Sequence, residues 1–327
     1  MAEKFLVTGA LSCIGAWAVK RLLAEGVAVS TYDLPGSRHR LELILDEAQL
    51  AKIDFVEGDI TDFERFSKTA TDKGITHILH LAAFQVPFVR ADPVQGMRVN
   101  AVGTTIVFET ARRLAGQVQG IAYASSAGVY AAPERYPAGP LANDAPQDPP
   151  HLYGVTKQAN EGTARIYWLE NKVRSVGIRP DVVYGPGRDQ GMTSTPTKAM
   201  LAAAVGRAYR ISFGGTIVYH HADDAAEVFI RAARSQRAGA DVFNLGGSTA
   251  SMEEIVAAID AAAPEMAGKI TFDPQEIPAP SGIDERELVK ALGPTRWRPL
   301  KDGVRQTVEH FRRASKAGKV AVEKILA

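Results

Sequence analysis

Residues 1–17 read MAEKFLVTGALSCIGAW, and this stretch decides the fold. Phe5–Thr8 is a short apolar run of the kind that forms a buried strand, and IGAWAVKRLLAEG after it has the apolar spacing of an amphipathic helix that stops at Gly26. Between them TGALSCIG is a strand-to-helix turn. In such a turn the amide N–H groups of the helix start face the pyrophosphate of a dinucleotide, where the backbone dipoles favour negative charge. Glycines there serve a tight turn, a close approach to phosphate and close helix–strand packing. Gly9 and Gly15 keep the outer two jobs, and Ser12 stands in the middle one. A hydroxymethyl is among the smallest replacements and leaves the amides in place, so binding is expected to persist with modest weakening.

The second predicted strand, Val27–Tyr32, ends at Asp33, eighteen residues after Gly15. That is close to the spacing at which a carboxylate holds the adenosine ribose hydroxyls. Its charge repels a 2′-phosphate, so NAD is favoured over NADP. Arg38, His39 and Arg40 follow within seven residues and could hold such a phosphate, but are read as a solvated helix start.

Further strands are predicted at Asp54–Glu57, His77–Leu81 and Gly120–Ala124, and long helices at Pro93–Leu114 and Tyr153–Asn171. A proline-crowded loop, residues 132–151, is too long for a simple connection and reads as functional or as a lid. Beyond Asn171 the pattern predicts a strand near Ser175–Val183, a Gly/Pro/Thr-rich segment over 184–197 and helices near Lys198–Val205 and Asp223–Arg234. A strand at Val242–Leu245 and helices near Met252–Ala263 and Asp302–Ser315 follow. Alternating strands and helices predict an α/β fold: a Rossmann-like doubly wound parallel sheet over residues 1–172, completed by the strands near 175–183 and 242–245. Residues 184–327 are expected to be mainly a smaller C-terminal substrate-binding lobe.

With 327 residues, 46% of them hydrophobic, the chain can bury a substantial core. Its net charge of +1 offers no field to recruit nucleic acid or an anionic membrane, so a small-molecule partner is expected. One cysteine, Cys13, excludes an intrachain disulfide and a Cys-built zinc site and fits a reducing compartment. No signal-peptide layout or membrane-length apolar run is present, so a soluble, cytoplasmic protein is expected.

TGALSCIG, Asp33, GDI at 58–60, HLAA at 80–83, Asn100, SSAGVY at 125–130, YGVTK at 153–157, RPDVVYGPG at 179–187 and HHADD at 220–224 share an order and spacing. Together they resemble the extended short-chain dehydrogenase/reductase family, the NAD-dependent epimerase/dehydratase group, over almost the whole chain. The resemblance implies NAD bound by Gly9, Ser12, Cys13, Ile14 and Gly15 at the turn and by Asp33. It implies Asp59 and Ile60 beside the adenine, and Leu81, Ala82 and Ala83 along the cleft. Asn100 would steady the strand ends, and Tyr153, Lys157 and Pro180 would complete the cofactor site. Ser126, Tyr153 and Lys157 would be catalytic. The substrate would meet Gln85, Ser125, Ser126, Tyr153, Thr193 and Ser194. A homodimer is implied as well.

The chemistry also follows from the residues. Tyr153 and Lys157 are four apart in a predicted helix and project from one face. A phenol of pKa near 10 is a poor base at neutral pH. An ammonium about 5 Å away at an effective dielectric of about 20 favours phenolate by roughly 3 kcal/mol. Tyr153 then takes an alcohol proton while hydride passes to the cofactor, and Ser126 holds the reacting oxygen. His220, His221, Asp223 and Asp224 lack metal-ligand spacing, so no metal is expected and His221 reads as architectural. Trp17, Trp168 and Trp297 read as packing residues.

Ala127 and Gly128 stand where family members that eliminate water carry Asp-Glu, which removes that reaction's acid and base. Val182 replaces an asparagine that nucleotide-sugar epimerases and decarboxylases usually carry. No dense arginine cluster marks a diphosphate site, although Arg188, Arg207 and Arg210 could contribute, and hydroxyls at Thr193 and Ser194 suit a small polyol, sugar, lactone or sugar acid. The expected activity is therefore NAD-dependent hydride transfer from a secondary alcohol or hemiacetal carbon of a small sugar-like substrate. The alternative is a nucleotide-sugar 4-epimerase with retained NAD. A non-catalytic NAD-sensing protein is a third reading, against which the intact Ser126/Tyr153/Lys157 set argues.

Overall fold

The computed structural model describes residues 2–277, 279–280 and 282–327. In chain order the strands are β1 (Lys4–Thr8), β2 (Ala28–Asp33), β3 (Asp54–Glu57), β4 (His77–His80), β5 (Gly120–Ala124) and β6 (Ser175–Arg179). They continue with β7 (Val182–Tyr184), β8 (Tyr209–Ile211), β9 (Thr216–His221), β10 (Ala240–Asn244), β11 (Ser248–Ser251) and β12 (Ile270–Phe272). Seven of them form a parallel sheet in the order β10-β6-β5-β4-β1-β2-β3. The chain runs outward from β1 to β3, then returns to β4 on the other side of β1. That reversal opens a crevice above the carboxyl ends of β1 and β4, where ligands of such sheets bind.

Apolar residues bury both faces of the sheet, as a parallel sheet requires. Helix Cys13–Ala24 packs with helix Ala222–Arg234 on one face, around Phe5, Val7, Leu22 and Phe229. Helix Gly103–Arg113 covers the other with helix Leu152–Asn171 beside it, around Leu6, Ile78, Phe108 and Tyr123.

The structure departs from the sequence reading in three places that bear on function. The stretch Ser175–Val183 is two strands: Pro180 lacks an N–H for the ladder, and the chain leaves β6 there to join a separate sheet of order β11-β9-β7. The helix expected over 93–114 contains a π turn at Arg98–Val102, which rotates Asn100 into the interior. The 132–151 loop is a buttress and not a lid. Asn143 donates to Val242 O at 2.9 Å and accepts from Asn244 N at 2.7 Å, and Leu141 bridges to Ile283. Among the described residues, no helix is long and apolar enough to cross a membrane.

Candidate active site

The glycine turn is built by contact. Gly9 has φ +71°, and a Cβ there would lie 2.6 Å from Ala82 N at the end of β4. A Cβ on Gly15 would lie 2.1 Å from Gly9 O. Both positions therefore exclude side chains, and the helix start sits directly on the turn. Ser12 is the helix N-cap: its Oγ accepts the Gly15 N–H at 3.2 Å, so the oxygen folds back onto the helix and its own proton stays free to donate. Asp33 accepts Ala10 N–H at 3.0 Å and Leu11 N–H at 3.4 Å. Burial pushes its carboxyl up to about 6, against the pull of the turn's backbone N–H groups.

A cleft of about 340 Å³ is lined by this turn, Asp33, Gly58–Ile60, Leu81–Gln85 and Gly187–Gln190. A cradle closed to Cβ atoms, a helix N-terminus, a carboxylate and an apolar wall together fit a dinucleotide. Behind the cleft His80 is locked as a structural group. Thr104 spends its hydroxyl proton on Asn100 O, so His80 Nε2 donates to Thr104 Oγ1 at 3.0 Å and Nδ1 accepts from Thr8 Oγ1 at 2.8 Å. Burial and the nearby Lys157 charge lower its pKa to about 3.

The Ser126–Tyr153 end rests on a second close approach. Helix Leu152–Asn171 begins at the N-cap His151, whose Nδ1 accepts Gly154 N–H at 3.1 Å. A Cβ on Gly154 would lie 2.1 Å from Gly128 O, so this helix start lies flat on the turn that follows Ser126. Ser126 Oγ accepts Gly128 N–H at 3.0 Å and hydrogen-bonds toward the Tyr153 phenol. Asn100, fully buried, accepts Phe84 N–H at 2.7 Å and donates to Phe84 O at 3.0 Å and to Thr156 Oγ1 at 3.1 Å. It thus ties the end of β4 to the Tyr153 helix.

Electrostatics at Tyr153 bring in a cation that the sequence reading did not use there. Lys157 Nζ donates to Ala124 O at 2.7 Å and lies 5.5 Å from the Tyr153 ring centroid. Burial lowers its pKa to about 8. Burial raises the phenol above its ordinary value, and the groups that oppose this are Ser126 and the Arg188 guanidinium. The Ala124 carbonyl holds the ammonium beside the Tyr153 ring, and Arg188 adds a second cation that favours phenolate.

Of the predicted site residues, Gly9, Ser12, Cys13, Asp33, Asp59, Ile60, Leu81, Ala82, Ala83 and Gln85 line the cleft. Ile14 and Gly15 lie in the first helix behind its N-cap. Pro180 stands behind the site, its carbonyl accepting Ala127 N–H at 2.9 Å. Ser125 is bonded to protein instead of facing a substrate: it donates to Glu161, which also takes Arg179 Nε at 2.8 Å and Nη2 at 2.7 Å. Ser194 likewise donates to Gly191 O at 2.8 Å. Thr193 accepts from Arg188 Nη2 at 2.9 Å.

The cations after Asp33 do start a helix, with Arg38 exposed and His39 partly so, but each has a partner and Arg40 is largely buried. Arg38 stacks on Phe55, 3.7 Å from its ring centroid, while His39 and Arg40 grip Asp189. Arg188, Asp189 and Arg40 had no local signal as a group, because 149 positions separate Arg40 from Asp189. His221, Asp223 and Asp224 do converge, with ligand atoms within 4.8 Å of one another. The cation among them is the guanidinium of Arg298, which reaches His221 Nδ1 at 2.9 Å and Asp223 at 2.9 Å. His220 is structural as well, meeting Gly246 O at 2.7 Å and accepting Asp181 N–H at 2.8 Å.

A family model described as "NAD dependent epimerase/dehydratase family" matches residues 5–246. A UDP-glucose 4-epimerase of Mycolicibacterium smegmatis is 35% identical over 327 residues, covering 95% of this chain and 99% of that one. The crystal structure of a UDP-glucose 4-epimerase from Brucella ovis in complex with NAD aligns with a TM-score of 0.76 and 25% identity, covering 95% of this chain and 99% of that one. An L-threonine dehydrogenase from Clostridium difficile shares the fold, with a TM-score of 0.82 and 21% identity over 96% of this chain and 98% of that one. The glycine cradle, Asp33 and the Ser126/Tyr153/Lys157 set thus stand in a chain that belongs to the NAD-dependent epimerase/dehydratase family and is an NAD-dependent enzyme of the extended short-chain dehydrogenase/reductase type.

Proposed function

We propose that the protein is an NAD-dependent 4-epimerase of a nucleoside-diphosphate sugar. The observation that carries this reading is the relationship to a UDP-glucose 4-epimerase over nearly the full length of both chains. It reverses the order in which the sequence alone ranked epimerase and small-substrate dehydrogenase.

When bound, NAD accepts and later returns a hydride. Tyr153 as phenolate takes the proton of the sugar 4-hydroxyl as the C4 hydrogen departs, and Ser126 holds the same oxygen. After the 4-keto sugar turns over, Tyr153 returns the proton as hydride is restored to the opposite face. Proton and electron pair both return to the sugar, so no NADH accumulates. Arg188 lines the cleft and, unlike Arg40, is not held by a carboxylate among the described residues, so it is the cation offered to an anionic substrate. Arg207 and Arg210 are taken at the surface by Glu323 and Asp273.

A dehydrogenase of a small hydroxylated compound is the second reading, favoured by Val182. That side chain is buried in β7 and offers no amide to a nucleotide sugar. Incubation with UDP-glucose and UDP-galactose separates the two. Interconversion without net NADH supports the epimerase, whereas NADH accumulating with a sugar, polyol, lactone or sugar acid supports the dehydrogenase. A homodimer belongs to the proposal too, supported by an exposed apolar stripe on helix Leu152–Asn171 made of Leu152, Val155, Ile166 and Leu169.

A further inference from the structure

We propose that Asp189 is a cofactor-retaining residue: its ion pair with Arg40, shared with His39, straps residues 185–190 across the glycine turn and sets the rate at which NAD leaves the cleft. The inference rests on NAD in this cleft and not on which alcohol is oxidised.

The segment is pinned at two points. At its root, Pro186 O accepts Trp17 Nε1–H at 2.9 Å and Cys13 S–H at 3.8 Å, both from the first helix. At its far end, Asp189 Oδ1 accepts Arg40 Nε–H at 2.9 Å and Nη2–H at 2.6 Å, and Oδ2 meets His39 Nε2 at 2.6 Å. The same guanidinium donates through Nη1 to Leu11 O at 2.8 Å, inside the glycine turn. An unbroken chain of contacts therefore crosses from the turn through Arg40 to Asp189. Gly187, Arg188, Asp189 and Gln190 line the same cleft as Gly9, Leu11, Ser12 and Cys13 of the turn, so a dinucleotide seated on the turn would lie beside them.

The strap is strong where strength matters. The Arg40 and Asp189 side chains are 15% and 11% exposed, and a two-nitrogen, charge-assisted contact at that depth is screened less than a surface pair. Against burial, which works the other way, Arg40 and His39 hold the Asp189 carboxyl below the usual carboxylate range. With the root fixed by Trp17, breaking the Asp189 end frees the overhanging part while the base of the segment stays in place.

Release of NADH from the full-length protein, followed by fluorescence after mixing with excess NAD, tests this. Asp189→Asn and Arg40→Gln should each release NADH about tenfold faster, the loss of one charge-assisted contact. The double variant should be no faster than either single, and Asp189→Glu should restore most of the slow release. Unchanged release in both single variants, or single effects that simply add, overturns the proposal. So does an Asp189→Glu variant as fast as Asp189→Asn. Arg40→Gln removes the pair from the other side, so a misfolded Asp189→Asn, detected by circular dichroism, leaves the test standing. Release rates do not depend on UDP-sugar turnover, so failure of the strap and failure of the epimerase reading appear in different measurements.

Discussion

Asp33 meets two opposed demands. The turn supplies N–H groups for a carboxylate, yet burial makes the charged form costly, so the group titrates near 6 where an unfolded aspartate titrates near 3.8. The native state therefore holds its proton more tightly than the unfolded chain. Cofactor-free protein should lose stability as pH rises from about 4 to about 6, with the whole cost, at most about 3 kcal/mol, present above that window. Asp33→Asn should accordingly raise the melting temperature of the cofactor-free protein at pH 7, give no gain at pH 4, and weaken NAD binding by calorimetry. A lower melting temperature at pH 7 would contradict the assignment of the raised pKa to burial. If Tyr153 carries the proton chemistry as proposed, Tyr153→Phe should cut kcat by about a hundredfold to ten-thousandfold with the fold intact. Retention of activity by that variant would remove the phenol from the mechanism and return the NAD-sensing reading.

Two elements set the site by touching. The first helix reaches the glycine turn because Gly15 lets it sit on Gly9 O, and the Tyr153 helix reaches Ser126 because Gly154 lets it sit on Gly128 O. Gly154→Ala places a methyl 2.1 Å from a backbone oxygen, which cannot rotate away. The helix start must retreat, and a displacement of about 1 Å at a reacting group lowers kcat by about a hundredfold. Single-turnover hydride transfer should fall while NADH affinity changes little, since Gly154 lies outside the glycine turn. Equal losses in both would show that the substitution acts on the fold as a whole. The π turn at Arg98–Val102 does a related job, aiming Asn100 at the backbone of Phe84 and at Thr156.

Across the whole molecule, the crossover between β1 and β4 puts the cofactor crevice and the Ser126–Tyr153 end on one edge of the sheet. The exposed stripe on helix Leu152–Asn171 runs from Leu152, beside Tyr153, to Leu169 near the far end of the helix. If two copies join there, Val155→Glu with Leu169→Glu should give a monomer by light scattering while leaving the monomer folded, because charges buried without partners cost several kcal/mol each in an interface. A parent protein already monomeric at the same concentration would refute the homodimer. Legibility also varied with scale. The helix Cys13–Ala24 and the strands over Asp54–Glu57 and Gly120–Ala124 were readable because their apolar periods are local. By contrast β7, β8 and β12 are three residues each, too short for any period to register.

What the amino-acid order determined alone was the βαβ start, the glycine cradle, the carboxylate at Asp33 and the four-residue spacing of Tyr153 and Lys157. Each of these is a short-range pattern whose physics is complete within a few turns of chain. Tertiary structure decided where the cations went. Lys157 turned to the Ala124 carbonyl, the Arg188 charge came to act on the phenol, and Arg40 found Asp189 from far along the chain. Charges act through space, and their partners are set by which strand ends the sheet brings together.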